Sequence, residues 1–137
     1  MKVGLISCVK TKRKKSCEAK DLYISDLFKK SLAYSLQNYD KTYILSAKYG
    51  FLELTDIIEP YELTLKNQNE EFKKKWSYKV FLKIIERHNI NTTTFYFLCG
   101  ENYRKYLIKK LIYKIPLQGL RNGKQLEFYK KNIKKYE

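Results

Sequence analysis

At 137 residues, 44% of them hydrophobic, the chain is long enough for a single domain over residues 1–137 with a buried core. No apolar run approaches the roughly 20 residues that span a bilayer, and no signal-peptide pattern opens the chain. Membrane association is therefore not expected, and three cysteines (Cys8, Cys17, Cys99) fit a reducing, cytoplasmic setting without disulfides. A formal charge of +15 invites phosphate-bearing partners, yet only four of the 29 basic residues (Arg13, Arg87, Arg104, Arg121) are arginine. The excess charge reads equally as functional or as compositional.

Along the chain, Lys2–Ser7 reads as a first strand: a short apolar run breaking into Ser7, Cys8 and a basic turn with Lys10, Lys12 and Arg13. Ser25 is the expected N-cap of a helix reaching about Gln37, with Leu27, Phe28, Ser31, Leu32 and Ser35 as its packing stripe. Thr42–Ser46 is a second strand, ended by Ala47-Lys48-Tyr49-Gly50. A long connection, Phe51 to Lys66, carries Pro60 and a cluster of carboxylates including Glu53, Asp56 and Glu59.

Asn69 caps the longest expected helix, with Phe72, Trp76, Val80, Phe81, Ile84, Ile85 and His88 at helical spacing. Thr93–Leu98 is a third strand, closed by Cys99 and Gly100. Glu101 to Ile112 reads as a helix burying Tyr103, Tyr106, Leu107 and Leu111, and Tyr113–Leu117 as a fourth strand. Gly119 and Gly123 bracket the turn into a final helix around Gln125–Tyr136. The expected fold class is thus α/β: a three-layer sandwich with a mostly parallel four-stranded sheet and helices on both faces.

Parallel strands bring the loops that follow them to one edge, where open α/β sheets bind ligands. Ser7–Lys12, Ser46–Gly50, Cys99–Tyr103 and Leu117–Lys124 should therefore gather into one pocket. Lys10 and Lys12 are candidates either to engage a reactive group, a desolvated lysine being a nucleophile, or to hold an anion. Ser7, Cys8 and Thr11 share that loop. Ser46, Lys48, Tyr49 and Gly50 combine hydroxyl, cation, aromatic face and turn, the parts of a phosphate or nucleobase site. Tyr61 offers a second stacking surface, and Glu59 is the best-placed general acid or base if the long loop folds over the strand ends. Gly100 and Tyr103 line the third loop, while Gly123 and Lys124 lie where backbone amides would meet an anion at the last helix. The lone histidine, His88, is expected to pack or to bond a terminal carbonyl; no metal or cofactor is implied.

Ser7-Cys-Val-Lys-Thr-Lys12, Ala19 to Phe28, Tyr43 to Leu52, Ile58-Glu-Pro-Tyr-Glu-Leu-Thr-Leu65, Trp76, Cys99 to Tyr103, Pro116 to Leu120 and Gly123 to Leu126 together resemble a small bacterial and phage domain family of unknown function. More distantly, Cys8-Val-Lys-Thr-Lys12 is similar to the lysine-core motif of archaeosine synthase, which modifies a 7-deazaguanine base in tRNA. Ser7 stands where that motif has Pro, Arg13-Lys14 where it has Pro-Tyr, and its His is absent. The resemblance implies a uracil-DNA-glycosylase-like, Rossmann-like architecture with a site at the first strand's end. The expected function is action on a nucleobase, nucleoside or nucleotide, free or within a nucleic acid. The alternatives are a non-catalytic binder of nucleic acid or of a small nucleotide signal, and a phage-type inhibitor of a host protein.

Overall fold

The structure, a computed structural model, describes residues 1–7 and 13–134. Its centre is β1 (Lys2–Ser7), flanked in parallel by β3 (Lys41–Ser46) and β6 (Thr94–Leu98). Buried on both faces, β1 reads as a continuous apolar run, the expected signature of an interior parallel strand. Beyond β6 lies β7 (Ile112–Lys114), also parallel; beyond β3 lies β4 (Gly50–Leu52), antiparallel. The sheet order is β4-β3-β1-β6-β7. A separate antiparallel pair joins β2 (Cys17–Glu18) to β5 (Ile57–Ile58), next to the short helix α1 (Ala19–Leu22).

Helices cover both faces. On one, α2 (Asp26–Asn38) and α5 (Asn122–Asn132) pack over Ile6, Ile44 and Leu98, burying Phe28 and Tyr129. On the other, α3 (Glu70–Arg87) lays Trp76, Val80 and Ile84 on Leu5, Leu45 and Phe97. The caps are as the sequence implies: Ser25 Oγ accepts from the Phe28 amide at 3.2 Å and Asn69 Oδ1 from the Phe72 amide at 2.8 Å. No helix among the described residues is long and apolar enough to cross a membrane.

The α/β class and the helix-flanked, mostly parallel sheet agree with expectation, but the sheet has five strands, not four. The extra strand comes from Gly50, whose φ of +74° turns the chain so that Phe51 and Leu52 pair back onto Leu45 and Ile44. The expected helix over 101–112 is only α4 (Glu101–Arg104) followed by a 3-10 turn, Ile108–Lys110. Tertiary contacts override helical propensity here. Glu70 at the start of α3 takes Lys105 Nζ and, at 3.1 Å, the Tyr106 hydroxyl, while Leu107 and Leu111 turn into the core. The Lys105 and Tyr106 hydrogen bonds lower the Glu70 carboxyl to about 2. The last strand runs Ile112–Lys114 rather than to Leu117, because Pro116 has no amide to give a ladder. The last helix is Asn122–Asn132, three residues earlier in its start than expected.

His88 is the C-cap of α3 and its Nε2 shares a 2.7 Å hydrogen bond with the Tyr43 hydroxyl. Burial, then the nearby Lys41 and Arg87, lowers its pKa from the ordinary 6.5. The unfolded chain therefore binds the extra proton first, and stability present above pH 6.5 is lost as pH falls through the lower folded value. Urea midpoints of the native chain should drop between about pH 7.5 and pH 5, with a smaller drop in His88→Gln; equal drops would assign the loss to other groups.

One close approach fixes the layer spacing. A Cβ at Gly4 would lie 2.0 Å from Ser35 Oγ and 2.7 Å from Tyr39 Cδ2, so α2 sits directly on the β1 backbone. Ser35 Oγ also hydrogen-bonds Thr42 Oγ1 at 2.6 Å, tying α2 to β3. Gly4→Ala should cost about 1–3 kcal/mol in urea denaturation, with partial recovery when combined with Ser35→Ala. A stability equal to the native chain's would contradict this packing.

Candidate functional site

Parallel pairing places Ser7, Ser46 and the segment after Leu98 on one edge of the sheet. The chain leaves β1 toward α2 and β3 but leaves β6 toward α4 and β7, on the other side of β1. The crevice between the ends of β1 and β6 is therefore the topological switch point, the usual ligand site of an open α/β sheet. A cavity of about 380 Å³ lies there.

Ser7 and Cys99–Gly100 form its strand-end wall, with Tyr103 and Arg104 on α4 beside them. The turn from Leu117 to Asn122 forms the opposite wall, shaped by Gly119 at a φ of +83°. Phe28 and Tyr129 give an apolar floor. Burial, with Tyr34 adding, raises the Tyr129 hydroxyl above its ordinary value. Arg104 is the one cation in the lining among the described residues, its Nη1 donating to the Cys99 carbonyl at 3.1 Å. Gln125 also lines the space, held by a 2.8 Å bond from its Nε2 to the Leu120 carbonyl. The N-cap of α5 is Arg121, which makes no side-chain cap, so the first-turn amides around Gly123 keep their donors for solvent or ligand. Lys124 stands just outside the lining and is bridged to Glu127 at 3.3 Å.

The loops after β3 and β5 take another course. Ser46 is fully buried; its Oγ donates to the Tyr61 hydroxyl at 2.7 Å and accepts from the Tyr49 amide at 3.1 Å. Tyr61 and Tyr23 hydroxyls continue the chain at 2.8 Å. Tyr49 packs edge-on against Tyr61, with ring centroids 5.6 Å apart. Its hydroxyl accepts from the Glu59 amide at 3.2 Å and donates to the Glu59 carbonyl at 3.3 Å. The Glu59 side chain is exposed. Lys48 lies over the Tyr49 ring at 5.2 Å, and Lys48, Tyr49 and Gly50 line a groove against α3 rather than the switch-point cavity.

Of the residues expected at the site, Ser7, Gly100 and Tyr103 thus share one cavity, with Gly123 and Lys124 beside it. Ser46 and Tyr61 form a part-buried hydroxyl chain, while Lys48, Tyr49 and Gly50 belong to a neighbouring groove. Cys8, Lys10, Thr11 and Lys12 lie outside the described residues. Sequence reasoning missed Arg104 and Gln125, and named Asn122 only as part of the Leu117–Lys124 segment. Arg104 had a usable signal, being one of four arginines and lying four residues past the Gly100 that ends a strand.

The family whose model matches the chain, over residues 3–131, is a family of unknown function (DUF6884). No curated protein matches the chain.

The Ser46–Tyr61–Tyr23 chain generates a test. Tyr61→Phe removes the hydroxyl to which Ser46 donates and which Tyr23 shares, and should lower stability by about 1–3 kcal/mol. Chemical denaturation measures it; a change under about 0.5 kcal/mol would mean that water replaces the bonds.

Proposed function

The chain belongs to DUF6884, so its activity has to be read from its own site, and we propose that it binds and acts on a nucleobase, nucleoside or nucleotide at the switch-point cavity. The observation that carries this reading is the cavity's position and make-up. It sits where the loops after β1 and β6 diverge, with a volume of about 380 Å³, inside the range of small-ligand sites. Its apolar floor suits a flat ring, and Tyr103 offers an aromatic face beside it. Polar groups around that floor (Ser7, Asn122, Gln125) suit the edge of a base or a ribose hydroxyl. Arg104 and the uncapped amides around Gly123 suit a phosphate, as donors from a helix N-terminus do.

In this reading Lys10 and Lys12, which follow Ser7 closely in sequence, engage the reactive group or the phosphate, while Glu59, exposed and outside the cavity lining, takes no part. The likeness of Cys8-Val-Lys-Thr-Lys12 to the archaeosine synthase motif supports a nucleobase as the ligand class. The absence of that motif's histidine directs the reading away from the same reaction. A cytoplasmic setting and a phage or bacterial host are part of the same proposal.

Native mass spectrometry of the purified protein should detect a co-purifying nucleotide or base. Thermal melts with nucleoside monophosphates should show a concentration-dependent rise. Arg104→Ala, Lys10→Ala and Lys12→Ala should each weaken the binding by about tenfold, the scale of a charge-assisted hydrogen bond. Folded variants with undiminished affinity, or no shift with any nucleotide, would overturn the proposal.

A further inference from the structure

The face of the molecule carrying α3 holds a second open space of about 500 Å³, between the Ala47–Phe51 turn and the helix. On α3 its lining runs from Phe72 to Glu86, about 21 Å at 1.5 Å per residue, so it is elongated rather than cup-shaped. Its floor is apolar: Phe51, Leu63, Trp76 and Val80. Leu82 on the rim is 39% exposed, and with Tyr78 (57%) and Ile85 (45%) it makes an exposed ridge at i, i+4, i+7.

Four of the five charged side chains around that apolar strip are lysines. Lys75, Lys79 and Lys83 stand four residues apart along α3, and Lys48 faces them from the turn. Lys75 is bridged to Glu71 at 3.2 Å, while Lys48, Lys79 and Lys83 have no carboxylate partner among the described residues. On the far flank of the ridge, Lys110 lies over the rings of Tyr78 and Phe81 at 5.5 and 4.9 Å. The groove's one carboxylate, Glu86, is paired with Arg87 at 3.3 Å.

We infer that this groove is a docking surface for an acidic amphipathic helix of a partner protein, whose apolar stripe seats over Trp76 and Leu82 and whose carboxylates meet Lys48, Lys79 and Lys83. Length and charge both favour that occupant. Lysines repeating every four residues match carboxylates that repeat every three or four on a helix laid alongside. A mostly apolar floor rewards aliphatic and aromatic anchors more than a sugar–phosphate chain. The surface is independent of the switch-point cavity, since none of its three unpaired lysines lines that space.

Trp76 is the chain's single tryptophan and lines the groove, so intrinsic fluorescence reports occupancy directly. The probe is a fluorescein-labelled designed helical peptide of about 16 residues, enough to span the groove, with Leu at i, i+4, i+7 and flanking Glu. Controls are its scrambled isomer and a single-stranded oligonucleotide of equal charge. The amphipathic peptide should bind saturably in fluorescence anisotropy and shift the Trp76 emission. The scramble, and the surface double variant Lys79→Glu/Lys83→Glu, should each lose about tenfold in affinity. Arg104→Ala, which alters the other cavity, should leave it unchanged. Equal binding of the two peptides, tighter binding of the oligonucleotide, or indifference to the charge reversal would overturn the inference.

Discussion

Lys2–Ser7 is hydrogen-bonded in parallel on both sides, Val3 through Ser7 against Lys41–Leu45 and Lys2 through Ile6 against Thr94–Leu98. A ladder of backbone bonds admits no slip of one residue without turning every side chain to the other face. It therefore fixes where Ser7, Ser46 and Cys99 end up relative to one another. The same strand sets the thickness of the sandwich, because Gly4 allows Ser35 and Tyr39 of α2 to rest on its backbone. The crevice at the end of β1 has walls only because the chain departs from β1 and β6 in opposite directions.

Two spaces open from this frame, and they differ in chemistry. The switch-point cavity mixes an aromatic floor with amide, hydroxyl and guanidinium groups, as a compact polar ligand requires. The α3 groove is long, apolar and bordered by lysines. A common set of contacts holds both in place. Trp76 donates from Nε1 to the Ser46 carbonyl at 2.9 Å and meets the Tyr103 ring edge-on, with centroids 5.6 Å apart. Tyr103 lines the cavity and Trp76 the groove, so this aromatic pair stands between them. Part of the net charge of +15 thereby gains a location: a row of lysines on one helix face.

Much of the frame was legible in the sequence because local signals and burial agree there. The bounds of β1 follow from its apolar run, and the starts of α2 and α3 from Ser25 and Asn69, whose side chains do cap them. The fifth strand was not legible. Gly50 announces a turn, but whether Phe51 and Leu52 then leave or fold back onto Leu45 and Ile44 depends on packing against α3, about thirty residues further on. The broken helix after Gly100 was hidden for a similar reason: Glu70, thirty-five residues from Lys105, decides it. In the site, Ser7, Gly100 and Tyr103 were readable as residues that follow strands. The separation of Lys48–Gly50 from them was not, since it is a consequence of that same hairpin.

The most direct measurement is amide chemical-shift mapping of the native protein titrated with a nucleoside monophosphate. Perturbations should cluster at Ser7, Cys99–Arg104 and Asn122–Lys124, leaving Lys79 and Lys83 unmoved. Shifts confined to α3 and the Ala47–Phe51 turn, or no saturable shift anywhere, would contradict a nucleotide site at the strand ends.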